Sequence, residues 1–319
     1  MKMKKYLPFV MVGLLTHLMS ACIDEDLSDC PPKEKEVLVD YQIDLTHEID
    51  PDYDARLQTL HLGFWDTQSH LYKEVYFNEE NMPEELVFTV TLPVKNYEHI
   101  AIANHDKDGV PGAYEPFPDD ISSVHIKESP YAPDTIKALA MPPFVGSEPM
   151  YMADEPEKTH YSVLLHPITA KLNIKVHHPQ TLKNIRCFIS KTKAGYACWD
   201  HVFLMNDKLV TDATDFRETN AEGTLSGFSF YAYPTVVNDL VKKAINRQTE
   251  ASDWKLYFYS DCGDKVIQHI FTVEDTLEAG RVFNGEFVIT EQGGESVNVD
   301  ASVEVDMDWK PGNDFDIDV

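Results

Sequence analysis

The segment from Asn104 to Glu115, Asn-His-Asp-Lys-Asp-Gly-Val-Pro-Gly-Ala-Tyr-Glu, has the spacing of a calcium-binding loop. Oxygen-bearing side chains stand at loop positions 1, 3, 5 and 12, and Gly109 stands at position 6, where the loop must turn sharply. Pro111, however, occupies the usual apolar position, and the segment follows a predicted strand instead of a helix. We therefore interpret the segment as a polar turn between strands, with calcium binding as the alternative.

No other segment has the spacing of a familiar catalytic or metal site. The thirteen histidines show no H-E-x-x-H spacing, and the G-x-S-x-G, Walker, G-x-G-x-x-G and C-x-x-C motifs are absent. A glycosidase needs only two carboxylates close in space, but among 54 acidic residues a pair such as Asp119-Asp120 carries no signal. We predict no catalytic residue, no metal site and no cofactor, and a hydrolase is the weakest alternative.

The net negative charge of the chain limits the kinds of molecule that it can bind. The chain has 27 basic and 54 acidic residues, a net charge of −27. Residues 1–21 carry three lysines and no acid, so their removal gives −27 − 3 = −30. A polyanion repels phosphate backbones, which predicts that the protein does not bind nucleic acid. Hydrophobic residues make up 43% of the chain, enough for a packed core.

The N-terminus has the parts of a secretory signal peptide. Lys2, Lys4 and Lys5 precede an apolar run from Leu7 to Leu18. This run of about 12 residues is shorter than the roughly 20 that a membrane-spanning helix needs. We predict a signal peptide over residues 1–21.

The residues at the end of this signal indicate lipidation. Ser20-Ala21-Cys22 resembles a bacterial lipobox, in which the cysteine thiol is acylated and becomes the first mature residue. Fatty acyl chains such as palmitate on Cys22 would hold the chain to a membrane, because each buried methylene adds about 0.8 kcal/mol. The alternative is an ordinary cleaved signal whose nearby cysteine forms a disulfide.

A charged tether follows over residues 22–35. The acidic run Asp24-Glu25-Asp26 resembles the export signal of surface-exposed lipoproteins in Bacteroidales-type bacteria, although a solvated spacer would have the same composition. Pro31 and Pro32 extend the chain before regular structure begins.

The first predicted domain, residues 36–166, begins with an alternating strand. Val37, Val39, Tyr41, Ile43 and Leu45 share one face of residues 36–45. Short strands separated by turns, without helical periodicity, indicate a β-sandwich or barrel. The further strands predicted here are Leu57–Trp65, Leu71–Phe77, Leu86–Val94, Tyr97–Ala103 and Tyr161–Leu165. Nine prolines between residues 104 and 159 predict extended excursions with one or two short strands.

The second predicted domain, residues 167–319, is also all-β. Leu172, Ile174 and Val176 alternate with polar residues in the strand Thr169–Val176. The other predicted strands are Asn184–Ser190, Val202–Met205, Thr224–Tyr233, Trp254–Ser260, Val266–Val273 and Val282–Thr290, and one short helix is predicted over Val237–Arg247. The fold class is thus all-β, with two tandem sandwiches.

The C-terminal segment suits the addition of a strand to a sheet. Alternating residues run from Val297 to Trp309 after Gly293-Gly294, a natural hinge. The candidates for strand exchange are Val297, Val299, Val303, Val305, Met307 and Trp309. An ordinary closing strand of the second domain is the alternative.

Four cysteines are left if Cys22 is acylated. Cys187 and Cys198 flank a predicted hairpin and are the preferred disulfide pair, with Cys30 and Cys262 also available. Free buried thiols are the alternative.

Several of these segments together resemble the FimB-like anchor lipoproteins of Bacteroidales type V fimbriae. Residues 22–32, Cys-Ile-Asp-Glu-Asp-Leu-Ser-Asp-Cys-Pro-Pro, resemble the start of the mature chain in that family. Residues 152–155, Met-Ala-Asp-Glu, with the Ala-Lys strand of residues 165–176 resemble its passage between domains, and Asp308-Trp309 resembles its last strand.

The resemblance implies two transthyretin-like β-sandwich domains and a non-enzymatic role as a fimbrial anchor or accessory subunit that supports adhesion. It implies an outer-membrane, surface-exposed location at the fimbrium base, with fimbrial stalk or accessory subunits as partners. Related stalk subunits lose their first strand by cleavage after an arginine. Arg56 is the first arginine here, so no such cleavage site precedes the first predicted strand. This fits an anchor, which is expected to keep that strand, better than a stalk subunit; cleavage at Arg56 is the alternative.

A second hypothesis is a surface lipoprotein that binds glycans or host proteins. Aromatic residues could stack on sugars if they are exposed, although sandwich cores use the same residue types. The candidates are Tyr114, Phe117, Trp199 and Trp254.

Overall fold

The computed structural model describes residues 33–44, 50, 52–53, 55–105, 115–127, 134–204, 209–235, 253–299 and 301–306. Regular structure in these residues is almost entirely β-strand, which confirms the predicted fold class. Two short 3₁₀ turns, η1 (Ile121–Ser123) and η2 (Thr214–Phe216), are the helical elements of the described part. The predicted helix Val237–Arg247 lies outside the described residues.

The first nine strands of the described chain cover residues 34–167. They are β1 (Glu34–Ile43), β2 (Leu60–Asp66), β3 (Leu71–Phe77), β4 (Val87–Pro93), β5 (Asn96–Ala103), β6 (His125–Ile126), β7 (Thr135–Lys137), β8 (Phe144–Tyr151) and β9 (His160–Pro167).

Twelve more strands follow. They are β10 (Ala170–His177), β11 (Lys183–Ser190), β12 (Gly195–Ala197), β13 (Val202–Leu204), β14 (Val210–Asp212), β15 (Arg217–Thr219), β16 (Leu225–Ala232), β17 (Trp254–Cys262), β18 (Lys265–Val273), β19 (Val282–Ile289), β20 (Gly294–Ser296) and β21 (Ala301–Asp306).

The first sandwich is a seven-stranded sheet folded on itself, in the order β3-β2-β5-β8-β9-β1-β4. Strands β8 and β9 share only the pairs Phe144–Pro167 and Val145–His166, and the two parts of the sheet meet there. One hydrophobic cluster joins residues of β1, β4 and β9 to residues of β2, β5 and β8. The core therefore lies between the two parts.

The alternation of β1 gives the strand its position in this sheet. Val37, Val39 and Tyr41 are buried in the core, as their spacing predicts. The strand is antiparallel to β4 on one side and parallel to β9 on the other. Because both edges are paired, β1 is an interior strand.

The second sandwich consists of a five-stranded sheet, β15-β16-β10-β19-β20, and a six-stranded sheet, β21-β18-β17-β11-β14-β7. Its first strand, β10, resembles β1 in having one antiparallel and one parallel neighbour. These neighbours are β16, which runs antiparallel to β10, and β19, which runs parallel to it. Leu172, Ile174 and Val176 face the core, as predicted.

The segment between β5 and β8 connects the two sandwiches. Strand β6 pairs with β12, and β7 pairs with β14, so both add to sheets that lie later in the chain. A third cluster packs Trp65, Ile100 and Val145 on the outer face of the first sandwich against Tyr196 and Tyr233. The predicted domain boundary at residue 166 stays a prediction. Strand β7 precedes that boundary in the chain, yet it pairs with β14 of the second sandwich. Position in the chain alone therefore does not show which sandwich the segment between β5 and β8 belongs to.

Strand β8 was not predicted from the sequence. The prolines of this region indicated one or two short strands, yet β8 has eight residues and pairs with β5 along its length. Pro149 lies within it, in a stretch where the pairing recorded for the described residues is with β5 alone. A proline needs no hydrogen-bond partner on an unpaired side, which explains why the strand tolerates it.

Candidate functional site

The candidate site is the C-terminal segment after β19. Strand β20 pairs with β19, and the backbone N–H of Val297 still donates to the Glu286 carbonyl at 2.8 Å. The chain then crosses to the other sheet, where β21 pairs antiparallel with β18 from Ala301 opposite Val273 to Asp306 opposite Gln268. The strand predicted over Val297–Trp309 therefore begins at Ala301 in the structure. Met307 and Trp309 lie outside the described residues.

The side chains of this segment divide between the core and the surface. Val299, Ala301 and Val305 pack against the core of the second sandwich. Val303 is 36% exposed and Val297 is 56% exposed. The alternation that indicated strand exchange thus also serves the chain's own sheet, as the alternative interpretation expected.

Gly294 allows β20 and β21 to close one side of the sandwich. A Cβ atom on Gly294 would lie 3.0 Å from the Phe271 ring and 3.3 Å from the Val303 side chain. A larger residue would push β21 away from β20. Of the glycine pair that predicts a hinge, Gly294 is thus a site of close packing, whereas Gly293 has open space around it.

The outer edge of β21 is the chemically available feature of the segment. Within the described part of the chain, no strand pairs with the side of β21 that faces away from β18. Alternate backbone N–H and C=O groups of an edge strand have no partner in their own sheet, so they can pair with an added strand. This arrangement can recognise an extended segment of another protein.

The comparisons with known proteins agree with this β architecture. The family model described as "Fimbrillin-A associated anchor proteins Mfa1 and Mfa2" matches residues 27–314. This chain belongs to that family. No curated protein sequence matches it.

Solved structures share the fold at low sequence identity. A candidate adhesin from Bacteroides ovatus is 11% identical, with a TM-score of 0.55 and coverage of 86% of this chain and 95% of that one. The fimbrial anchor protein Mfa2 from Porphyromonas gingivalis is 11% identical, with a TM-score of 0.50 and coverage of 87% and 100%. A candidate adhesin from Bacteroides thetaiotaomicron is 10% identical, with a TM-score of 0.51 and coverage of 86% and 96%.

In this member of the anchor family, β1 is held in place by a buried polar contact. The Tyr41 side chain reaches across the first core to His99 on β5, with 2.7 Å between the hydroxyl and Nε2. His99 Nδ1 lies 2.7 Å from the Gly63 carbonyl, so Nδ1 carries the proton and Nε2 accepts from Tyr41. Burial lowers the pKa of His99 to about 4, although the hydrogen bond to Gly63 opposes that shift.

Arg56 lies between β1 and β2, and its carbonyl accepts a hydrogen bond from the Asn104 amide at 2.7 Å. Cleavage there would separate β1 from the remaining strands of its sandwich, including both strands that pair with it. The core residues Val37 and Val39 would be lost with it. A chain that keeps β1 thus keeps these core residues and the pairing of β1 with β4 and β9.

The predicted disulfide between Cys187 and Cys198 is wrong, because both thiols are free. Cys187 lies in the core of the second sandwich, while Cys198 lies in the cluster between the sandwiches. The chain passes from one sheet to another between β11 and β12, so the two cysteines do not flank a hairpin. Burial raises the pKa of both thiols, which keeps them protonated and unreactive. Cys262 is also free and half-buried, and Cys22 and Cys30 lie outside the described residues.

The calcium interpretation finds no support at its first position. The Asn104 side-chain oxygen accepts from the backbone N–H groups of Gln58 at 2.7 Å and Thr59 at 3.4 Å. Its amide nitrogen donates to the carbonyls of Arg56 and Pro142. Asn104 therefore joins loops of the first sandwich, and loop residues 106–114 lie outside the described part. Among the residues described, no group of three or more metal-ligating side chains occurs.

The aromatic candidates for glycan binding are mostly internal. Phe117 is 9% exposed and stacks on His61 with ring centroids 3.7 Å apart. Trp254 is fully buried, and its indole N–H donates to the Asp275 carbonyl at 2.8 Å. Trp199 packs against the cluster between the sandwiches, and Tyr114 lies outside the described residues. Phe117, Trp199 and Trp254, the three candidates that the structure describes, therefore form no exposed stacking surface.

Sequence reasoning missed the contact between Tyr41 and His99. A signal was available in β5, where Tyr97, Ala101 and Ala103 face the first core. His99 has the same parity, and a histidine at an inward position must find a buried partner.

Within the described residues, no helix has the length and apolar character that crossing a membrane requires.

Proposed function

We propose that this chain is a non-enzymatic anchor or accessory subunit of a fimbrium, held in the outer membrane by an acylated Cys22 and joined to other subunits by strand addition. The observation that carries the proposal is β21, an edge strand in a member of a fimbrial anchor family. The contact segment is Val297–Trp309, and the partners are stalk or accessory subunits.

The N-terminal sequence supports the lipid attachment. Ten residues lie between Cys22 and Lys33, where the described part begins. Such a stretch spans at most about 35–40 Å when fully extended. The tether can thus separate the first sandwich from a lipid surface while the acyl chains stay inserted. Family membership supports association with fimbrial subunits at the cell surface.

A deletion tests the strand assignment. Removal of residues 297–319 is expected to release fimbriae from the cells, because the edge for strand addition is lost. Both sandwiches should stay folded, since β21 covers only one edge of the second core. Fimbriae in the medium are quantified by electron microscopy and immunoblotting. Fimbriae of normal length that remain attached would contradict the assignment.

A pair of proline variants separates a loss of contact from a general loss of stability. Glu304→Pro places proline in the middle of β21, and Glu218→Pro places it in the middle of β15, another exposed edge strand of the same sandwich. We expect Glu304→Pro to release fimbriae and Glu218→Pro to retain them. Equal release from both variants would indicate that destabilisation of the sandwich is responsible.

The lipid assignment has its own test. Cys22→Ser is expected to move the chain from the membrane fraction to the soluble fraction and to remove the acyl mass from its N-terminal peptide. Cys262→Ser is the matched control, because it makes the same cysteine-to-serine change at a free thiol that carries no acyl chain in the proposal. A Cys22→Ser protein that stays in the membrane fraction would disprove acylation as the anchor.

A further inference from the structure

We propose that β21 acts in place, as a fixed template. An extended strand from a neighbouring fimbrial subunit adds to its outer edge while β21 stays paired with β18. This inference rests on the proposed function and specifies how the contact segment works. The alternative is a donor strand that leaves its own sheet and completes the sheet of the partner.

The first argument is the way in which β21 is held. All six of its residues pair with β18, and Val299, Ala301 and Val305 pack against the core. Val303 stands opposite Phe271, which is fully buried. If β21 left, it would break this ladder and expose apolar core surface to water. A strand that adds to the outer edge causes neither loss.

The second argument is a comparison of the sheet edges in the described residues. In the first sandwich, β3 and β4 face each other. Lys73 Nζ on β3 donates to the Thr91 carbonyl on β4 at 3.2 Å, and the Phe77 and Phe88 rings lie 4.2 Å apart. Side chains thus fill the gap between these two edges. The other edge strands, β6, β7, β13, β15 and β20, have two or three residues each, whereas β21 has six.

The third argument is the charge of the segment, which specifies the partner. Residues 298–308 contain four acidic residues and no basic one. Glu304 is exposed, and Val303 beside it is 36% exposed on the opposite face. Opposite charges on neighbouring strands stabilise their pairing. The matching strand therefore carries lysine or arginine on the face of Glu304 and an apolar residue beside Val303.

A disulfide between β18 and β21 distinguishes a template from a donor. Thr272 and Ser302 are directly opposite in the ladder, where Cα atoms are about 4.5–5.5 Å apart, within the range of a disulfide. We would combine Thr272→Cys and Ser302→Cys with Cys262→Ser, so that no half-buried native thiol competes. The probe is fimbriae purified from a strain that lacks this chain, and the full-length chain is pelleted with them from detergent solution.

A template predicts that the oxidised and reduced forms of this variant pellet to the same extent, within about twofold. A donor predicts that the oxidised form does not pellet and that reduction restores pelleting, and this result would overturn the inference. If the unmodified chain does not pellet, or if the chain lacking residues 297–319 pellets equally well, the proposed function itself fails.

Hydrogen exchange of the unmodified chain provides a second measurement that needs no disulfide. With fimbriae bound, we expect slower exchange in residues 301–306 and unchanged exchange in residues 268–273 of β18. Faster exchange in residues 268–273 would show that β21 has left and would overturn the inference.

A charge reversal tests the chemistry of the partner strand. We expect Glu304→Lys to reduce pelleting at least fivefold at low salt, whereas Glu218→Lys on β15 should leave it within twofold. An equal effect of the two variants would contradict a basic partner strand at β21.

Discussion

The first and last strands of the described chain are held in different ways. Strand β1 lies inside its sheet between β4 and β9, and its Val37, Val39 and Tyr41 are buried. Strand β21 lies at an edge, pairs with β18 alone among the described strands, and exposes part of Val303. An interior strand is required for its sandwich, whereas an edge strand leaves one side for another chain. The first sandwich thus depends on a strand at one end of the described chain, and the assembly contact that we propose lies at the other end.

The two sandwiches nevertheless start alike. Strands β1 and β10 each run antiparallel to one neighbour and parallel to the other. This correspondence supports the prediction of tandem copies of one topology. The difference lies in what the first strand carries into the core: β10 inserts only apolar side chains, while β1 also inserts the Tyr41 hydroxyl that contacts His99.

The largest expected effect comes from a charge placed on each of the two strands. Val39→Asp would bury a carboxylate in the first core and is expected to lower the free energy of unfolding by at least about 4 kcal/mol. Val303→Asp on β21 should cost less than about 1 kcal/mol, because its side chain is partly exposed. Denaturant unfolding of the full chain measures both. Similar losses would remove the distinction between the interior and the edge strand.

The pH dependence of the first sandwich sharpens the comparison of the two cores. His99 has a pKa of about 4 in the folded protein and about 6.5 when unfolded, so the unfolded chain binds more protons between these values. Stability from this group is present above pH 6.5 and is lost as the pH falls toward 4, by about 3 kcal/mol in total.

A His99→Gln variant should lose that part of the pH dependence. A glutamine amide can still accept from Tyr41 and donate to the Gly63 carbonyl, but it does not titrate. The measurement is the difference in the free energy of unfolding between pH 7 and pH 4.5, with His125→Gln at an exposed position as the control. An unchanged pH dependence in His99→Gln would show that other groups control acid stability.

A smaller effect tests how the outer face of the first sandwich is covered. A Cβ on Gly63 would lie 2.2 Å from the Trp65 ring and 2.9 Å from Phe117, so Gly63→Ala should cost about 1–3 kcal/mol. Gly293, beside β20, has no atom within 4 Å of such a Cβ, and Gly293→Ala should change stability by less than about 0.5 kcal/mol. Thermal and denaturant unfolding would compare them, and equal effects would contradict the packing of Phe117 on β2.

No effect is expected from reduction. Cys187 and Cys198 are free in this structure, so a reducing agent should leave the unfolding midpoint unchanged. A thiol reagent should label Cys262 in the folded protein, and Cys187 and Cys198 only after unfolding. A lower unfolding midpoint under reducing conditions would support the predicted disulfide between Cys187 and Cys198.

The sequence predicted regular strands where one face is apolar and the other polar. Leu71–Phe77 was predicted with the bounds that β3 has, and the inward residues of β1 and β10 were identified. Strand β8 was missed because proline normally interrupts a strand. In the described structure, the part of β8 that contains Pro149 pairs with β5 alone, and a strand tolerates proline where one of its sides is unpaired. The disulfide was wrong because sequence separation does not show which sheet each cysteine enters.

At the candidate site, the sequence located the C-terminal segment but not its arrangement. Alternation in Val299, Ala301, Val303 and Val305 indicates a strand with one apolar face, whichever sheet it joins. The structure places Val299, Ala301 and Val305 of that face on the chain's own core, and it leaves Val303 partly exposed.

The sequence alone determined the fold class, the acidic charge, the signal-like N-terminus and the apolar face of most strands, because these depend on residue type and local spacing. Only the tertiary structure decided which strands are neighbours, which edges stay open, and where the thiols, aromatic rings and His99 lie. Strand pairing joins residues far apart in the chain, and a period of two is the same for an interior strand as for an edge strand.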